Sequence, residues 1–293
     1  VTANYTFTKS ADGSLTVTAK SVSFTGESAT KPYTGSEQSI TGITASGLLK
    51  NYTYSGLTYV ATGTNVGSYD GTFTGTPVIK DANGKVVTDN FAITTTAGTL
   101  TITKASFAVT FTGESAEKVY NGSEQSITNI TASGLLAGHT YSGLTYVAKG
   151  TNVGSYDGTF SGDPIITDAA GTDVTANYVI TTTPGKLTIT KASIAVTFTG
   201  ETATKVYNTA EQSITNITAS GLLAGHTYSG LTYVAKGTNV GSYDGTFSGD
   251  PIITDAAGTN VTANYVITTT PGKLTITPIT TETIVTITGN HNS

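Results

Sequence analysis

The chain repeats itself with a period of 87 residues. The clearest copies are Ala105–Lys191 and Ala192–Pro278. They differ only at Phe107/Ile194, Ser115/Thr202, Glu117/Thr204, Gly122/Thr209, Ser123/Ala210, Asp173/Asn260 and Lys191/Pro278. An older copy precedes them. It keeps Tyr33, Glu37-Gln38, Gly47-Leu48-Leu49, Tyr69-Asp70-Gly71 and Asn90, and varies between these landmarks. A catalytic site is usually built once, whereas a module copied almost verbatim supplies length, valency or reach.

Solenoid repeats run about 20–50 residues and need neighbours to bury a face. A unit of this length is the size of a small domain with its own core. The chain therefore reads as the tail end of a preceding repeat (1–20), repeat 1 (21–104), repeat 2 (105–191), repeat 3 (192–278) and the first strand of a following repeat (279–293). Val1–Tyr5 spells VTANY, as do Val174–Tyr178 and Val261–Tyr265, and Ile284–Gly289 matches Ala195–Gly200. Such half-copies fit a stretch taken out of phase with the repeat. The alternative is head-to-tail pairing with another chain, a contact that propagates.

Within Ala105–Lys191, Ser106–Thr112 alternates with period two, placing Phe107, Val109 and Phe111 on one face. Further β-prone runs follow at Gln125–Thr131, His139–Ala148, Ser155–Ser161, Ile165–Asp168, Val174–Thr182 and Lys186–Thr190. They are separated by Gly-, Asn- and Pro-containing turns. Ser133–Gly138 reads as a tight connection with an apolar plug, Leu135-Leu136. Seven or eight short strands without helical periodicity predict an all-β fold, a tandem array of small Ig-like β-sandwich or β-grasp-like domains forming an elongated rod. From Leu187 to Phe198 there is neither Gly nor Pro, so one strand nearly runs into the next and no free hinge is expected.

Charged residues are 11% of the chain, against about 25% in ordinary domains. With a net charge of −5 there is no basic patch, so nucleic acid is not an expected partner, and no apolar run is long enough for membrane insertion. The absence of Cys removes disulfides, thiolate metal sites and Cys nucleophiles together.

Two segments, NVGSYDGTF at Asn152–Phe160 and VTANYVITTTPGKLTIT at Val174–Thr190, resemble the YDG/MBG-type repeats of very large bacterial surface proteins. Lys118, Tyr120 and Gly122 match one motif, Asn152, Val153, Gly154 and Tyr156 a second, and Asn177, Tyr178, Gly185 and Leu187–Thr190 a third. The likeness covers essentially the whole chain and departs at Thr209-Ala210. It implies an exported, extracellular protein of the bacterial, mostly Gram-positive, cell surface, whose repeats form a stalk or an adhesive array. The family has no catalytic residues to carry over.

Four constellations remain. His139 and His226 share a position that Tyr52 fills in the first copy, which points to packing, and His291 stands alone in a polar tail. The loops Asp81–Gly84, Asp168–Asp173 and Asp255–Asn260 resemble short calcium loops, but their carboxylate number is unequal and Asx residues build such turns unaided. No cofactor is therefore expected, with calcium the one candidate. Lys31, Glu37 and Asn90, with Lys118, Glu124 and Asn177 and with Lys205, Glu211 and Asn264, are candidates for a Lys–Asn cross-link, which needs a desolvated amine beside an acid. Tyr54 and Tyr59, with Tyr141, Tyr146, Tyr228 and Tyr233, are candidates for a sugar-stacking surface.

The expected function is a non-enzymatic stalk or spacer in a cell-surface adhesin or fibre. The alternatives are a multivalent array binding host glycan or protein, and a filament subunit pairing with copies of itself through its terminal strands.

Overall fold

The computed structural model describes residues 16–193 and 195–280. These residues form an all-β chain of short strands, with one three-residue 3-10 turn per copy at Thr88–Asn90, Thr175–Asn177 and Thr262–Asn264. No helix among them is long and apolar enough to cross a membrane. Both terminal half-copies fall largely outside the described residues.

The first copy contains β1 (Lys20–Gly26), β2 (Ala29–Pro32), β3 (Gln38–Ile40), β4 (Ile43–Ser46), β5 (Thr53–Gly63), β6 (Gly67–Asp70), β7 (Thr72–Lys80), β8 (Phe91–Thr96) and β9 (Thr99–Thr103). Period-two alternation decides what is buried. Val22, Phe24 and Gly26 of β1 point inward, as do Leu57, Tyr59, Ala61 and Gly63 of β5 and Leu100 and Ile102 of β9. The later copies repeat this order, with β5 split at Gly143 and Gly230 into Thr140–Ser142 and Thr145–Gly150, and Thr227–Ser229 and Thr232–Gly237.

The first and last strands of a copy run side by side and parallel. β1 pairs with β8 from Lys20↔Phe91 to Thr25↔Thr96, and β2 with β9 from Ala29↔Leu100 to Pro32↔Thr103. Both ladders keep one register, so Lys20–Pro32 and Phe91–Thr103 are two bent strands that travel together. The break between the ladders has a local cause. A Cβ on Gly98 would lie 2.1 Å from the Glu27 carbonyl oxygen, so only glycine lets the chains approach there. The Ser28 hydroxyl bridges the gap by accepting from Thr99 N–H at 3.1 Å. Ser115 and Thr202 do the same for Lys186 and Lys273, which explains why Ser and Thr exchange freely at this position. In the third copy Val196↔Ile267 and Ala203↔Leu274 hold the same register.

The remaining pairings are antiparallel. β4 lies on the other edge of β1, β6 on the other edge of β9, and β3, β5 and β7 form their own sheet. An Ig-like sandwich is made of antiparallel sheets, so the two mixed sheets set this copy apart from that pattern. Because the first and last strands point the same way, the chain enters a copy at the Lys20 end and leaves it at the Thr103 end. The period-two reading misplaced one side chain. Phe107 is 43% exposed, because the strand begins only at Ala108 and Ser106-Phe107 form a bend before it.

The chain divides into two compact units. One comprises Val1–Phe111, Ala132–Leu144 and Gly162–Thr181, the other Thr112–Thr131, Thr145–Ser161 and Thr182–Ser293. The division falls inside the second sequence copy, so each unit contains a complete junction between two copies. In the second unit one apolar cluster runs through that junction. Tyr120, Ile127, Tyr146 and Leu187 from one copy join Val196, Phe198, Ile253 and Tyr265 from the next.

Candidate functional site

Two of the three buried polar side chains among the described residues, Asn177 and Asn264, lie at junctions between copies. In the first unit, Asn177 ends the 3-10 turn Thr175–Asn177 and is 3% exposed. Its Oδ1 accepts from Val66 N–H at 2.7 Å and its Nδ2 donates to Asn65 Oδ1 at 2.8 Å. Its backbone carbonyl accepts from Ala105 N–H at 2.9 Å, in the link between the copies. One side chain and its own backbone therefore grip both the tip loop of the preceding copy and the connecting segment. A buried amide with both ends bonded has one orientation, and losing either partner leaves a polar atom stranded.

The tip loop is prepared for this contact. The Tyr69 hydroxyl donates to the Asn65 carbonyl at 2.7 Å, bracing the loop from inside its own copy. Beside it, Tyr33 packs edge-on against Tyr178 with centroids 5.6 Å apart and planes at 78°. The Tyr178 hydroxyl and His139 Nδ1 lie 2.8 Å apart, so the histidine is part of the packing at this face, as its exchange with Tyr52 suggests. Burial pushes the Tyr33 and Tyr178 phenols above their ordinary pKa. A Cβ at Gly35 would come 2.9 Å from Leu136 Cδ1, so the Leu135-Leu136 plug seats directly on a glycine of the preceding copy.

The second unit repeats the arrangement atom for atom. Asn264 accepts from Val153 N–H at 2.7 Å and donates to Asn152 Oδ1 at 2.9 Å, and its carbonyl accepts from Ala192 N–H at 2.9 Å. Tyr120 meets Tyr265 at 5.7 Å and 80°, and His226 Nδ1 lies 2.8 Å from the Tyr265 hydroxyl. In the first copy the equivalent residue, Asn90, is exposed.

The sugar-stacking candidates divide. Tyr59, Tyr146 and Tyr233 are each 3% exposed and belong to the core, a correction to their reading as surface aromatics. The Tyr59 ring lies between two glycines. A Cβ on Gly26 or Gly71 would fall 2.4 or 2.2 Å from ring carbons, and the hydroxyl donates to the Glu27 carbonyl at 3.0 Å. Gly113 and Gly158 hold Tyr146 in the same way, and Gly200 and Gly245 hold Tyr233. Tyr54, Tyr141 and Tyr228 are half-buried and tilt against Phe24, Phe111 and Phe198.

In the second and third copies the cross-link candidates are engaged elsewhere. In the third copy Lys205 Nζ donates to the Ser213 carbonyl at 2.7 Å, Glu211 pairs with Lys236 at 3.6 Å, and Asn264 is taken up by the junction. Lys118 and Lys31 make the same lysine-to-carbonyl bond, to Ser126 and Ser39. Glu124 pairs with Lys149, whereas the first copy has Thr62 opposite Glu37. In the loops read as calcium candidates, Asp81, Asp168 and Asp255 each use Oδ1 to accept two backbone N–H groups of their own turn. Among the described residues no cluster of His, Asp and Glu is arranged to hold a metal ion.

No protein-family model matches the chain, and no curated protein sequence does.

Asn177 is legible in the sequence only as one residue of a repeated set. Its partner Asn65 lies 112 residues away in the preceding copy, and no local pattern joins them.

Proposed function

We propose that these repeats are a load-carrying stalk or spacer of a bacterial cell-surface protein, with stiffness set at the junctions. One observation carries the reading: Asn177 and Asn264 each bond, through side chain and backbone, to the tip loop of the preceding copy and to the connecting segment. A flexible string of domains has no need of a buried, doubly bonded amide at each joint. The passage of the chain from one end of a copy to the other adds to this, since such units extend a polypeptide. Strands of the span Lys20–Pro32 at about 3.3 Å per residue give about 40 Å per copy.

Small-angle scattering tests the proposal. The expected result is a stiff particle on the order of 110–140 Å long, from three copies of that span with end loops. The double variant Asn177→Ala/Asn264→Ala should broaden the distance distribution and raise flexibility while each copy stays folded. A compact globule for the parent chain, or scattering that the double variant leaves unchanged, would refute the reading. The exported surface location follows from the resemblance to YDG/MBG-type repeats and is part of the same proposal.

A further inference from the structure

One asparagine beside a junction is placed to react with its own backbone. Asn121-Gly122 follows Tyr120, on the second copy's side of its joint with the third. Glycine after asparagine leaves the next backbone nitrogen open to the side-chain amide, since no Cβ shields it. Three features of this pair favour the attack. Asn121 is exposed to water. Ser123 N–H donates to Asn121 Oδ1 at 3.0 Å, so a donor already faces the oxygen on which negative charge develops. Gly122 N–H donates to no protein group among the described residues, so no such bond must break before the nitrogen turns to Asn121 Cγ.

The other pairs of this kind among the described residues are tied down. Gly84 N–H, after Asn83, donates to the Asp81 carbonyl at 3.0 Å, and the Asp81 carboxylate accepts from Asn83 and Lys85 N–H on either side. That charge also opposes a developing anion on the Gly84 nitrogen. Gly71, Gly158 and Gly245, after Asp70, Asp157 and Asp244, donate at 2.9 Å to the carbonyls of Gly98, Gly185 and Gly272. At the place of Asn121-Gly122 the first copy has Thr34-Gly35. The third has Asn208-Thr209, whose branched side chain shields the nitrogen.

We infer that Asn121 is a site of spontaneous deamidation, and that the reaction alters one joint of the chain, between the second and third copies. Gly122 N loses its proton to solvent and bonds to Asn121 Cγ. The Cγ–Nδ2 bond breaks and Nδ2 leaves as ammonia. The resulting succinimide takes up water at either carbonyl and opens to aspartate or isoaspartate. Isoaspartate routes the main chain through Cβ and Cγ, adding one carbon between two fixed points. Before it stands Tyr120, buried and edge-on to Tyr265. After it stands Gly122, where a Cβ would lie 3.2 Å from Leu223 Cδ1 and 3.6 Å from His226 Nε2. The added carbon forces these contacts apart, whereas the first joint has Thr34 here and no amide to lose. The inference holds whether or not the repeats serve as a stalk.

Peptide mapping of the whole chain tests it, after incubation at mildly alkaline pH, folded and in urea, with isoaspartate detected by methyltransferase labelling. In urea Asn83 and Asn121 should react alike. In the folded chain, each relative to its own rate in urea, Asn121 should outpace Asn83 about fivefold, the factor set by one net hydrogen bond of about 1 kcal/mol. Hydrogen exchange should then rise at Val261–Tyr265 of the aged chain and stay unchanged at Val174–Tyr178, the two peptides being told apart by Asp173 and Asn260. Asn121→Gln, whose longer side chain does not close the five-membered ring, should show no rise over the same incubation. Folded-state reaction at Asn83 that equals or exceeds that at Asn121 would overturn the inference. So would a modified chain whose exchange at Val261–Tyr265 matches that of fresh protein, or an equal rise in Asn121→Gln.

Discussion

Asn177 Nδ2 donates to Asn65 Oδ1 at 2.8 Å, one amide to another across a boundary between copies. Because Asn177 Oδ1 is already held by Val66 N–H, the network itself determines which way the amide faces. An aspartate here keeps the shape and loses the donor, placing a carboxylate against the Asn65 oxygen.

Asn177→Asp should therefore destabilise the first unit by about 1–3 kcal/mol, the cost of a stranded buried polar group. Asn264→Asp should cost the second unit the same amount, since its bonds have the same lengths to within 0.1 Å. Denaturant unfolding followed by tyrosine fluorescence checks both. Unequal penalties would mean that the two junctions are not energetically equivalent.

The glycines separate into two classes by what surrounds them. Gly200→Ala drives a methyl group to 2.3 Å from the Tyr233 ring, which Gly245 confines from the other side. Overpacking of this kind should cost about 3 kcal/mol. Gly258 has nothing within 4 Å, and Gly258→Ala should cost only the left-handed backbone penalty of about 1 kcal/mol. Thermal midpoints of the two variants should fall in that order.

Alkaline pH should unfold the repeats through their tyrosines. Burial raises the phenols of Tyr33, Tyr146, Tyr178, Tyr233 and Tyr265 above the ordinary 10.0. A raised phenol favours the neutral form in the folded chain. Its stabilisation is fully present below 10.0 and is lost as pH rises from there through the folded value. Stability should be flat from neutrality to about pH 9 and fall beyond about pH 10. Phenolate absorbance should lag behind that of the urea-unfolded chain. Coincident titrations would contradict the burial of these hydroxyls.

Asp173→Asn should be silent at neutral pH. Asp173 accepts from the Thr175 hydroxyl and N–H at 2.6 and 2.9 Å, and Asn260 makes the same two bonds to Thr262 at 2.7 and 3.1 Å. Those bonds hold the Asp173 carboxyl below its ordinary pKa. Its contribution is present above the unfolded value and lost as pH falls through the folded one. The variant should therefore lose a small acid-dependent component that the parent shows below about pH 4. Melts at pH 7 and in acid check this.

Much of the strand layout was legible, because alternation such as Val109-Thr110-Phe111 announces which side chains face inward. The Leu135-Leu136 pair was also readable as a plug, though its seat on Gly35 was not. What sequence could not disclose were pairings between distant residues. Lys20 and Phe91 become strand neighbours, and Asn65 meets Asn177, through backbone geometry that leaves no periodic trace. Recurrence at fixed places suggests covalent chemistry between Asn177 and Lys118. Recurrence marks a position as used without saying for what. The burial of Tyr59 is hidden for a related reason: its ring can sink between strands only because Gly26 and Gly71 lack side chains, and those glycines are remote in sequence.

The parallel register of β1–β2 with β8–β9 decides how a copy responds when it is pulled. Tension enters at Lys20, on one strand, and leaves at Thr103, on its immediate neighbour, in the opposite direction. The ladder between them is thus loaded in shear. Its hydrogen bonds must give way in groups, because neither strand can be peeled from an end. The break at Gly98, bridged by Ser28, divides the ladder into two such groups, and the same construction recurs in the second and third copies.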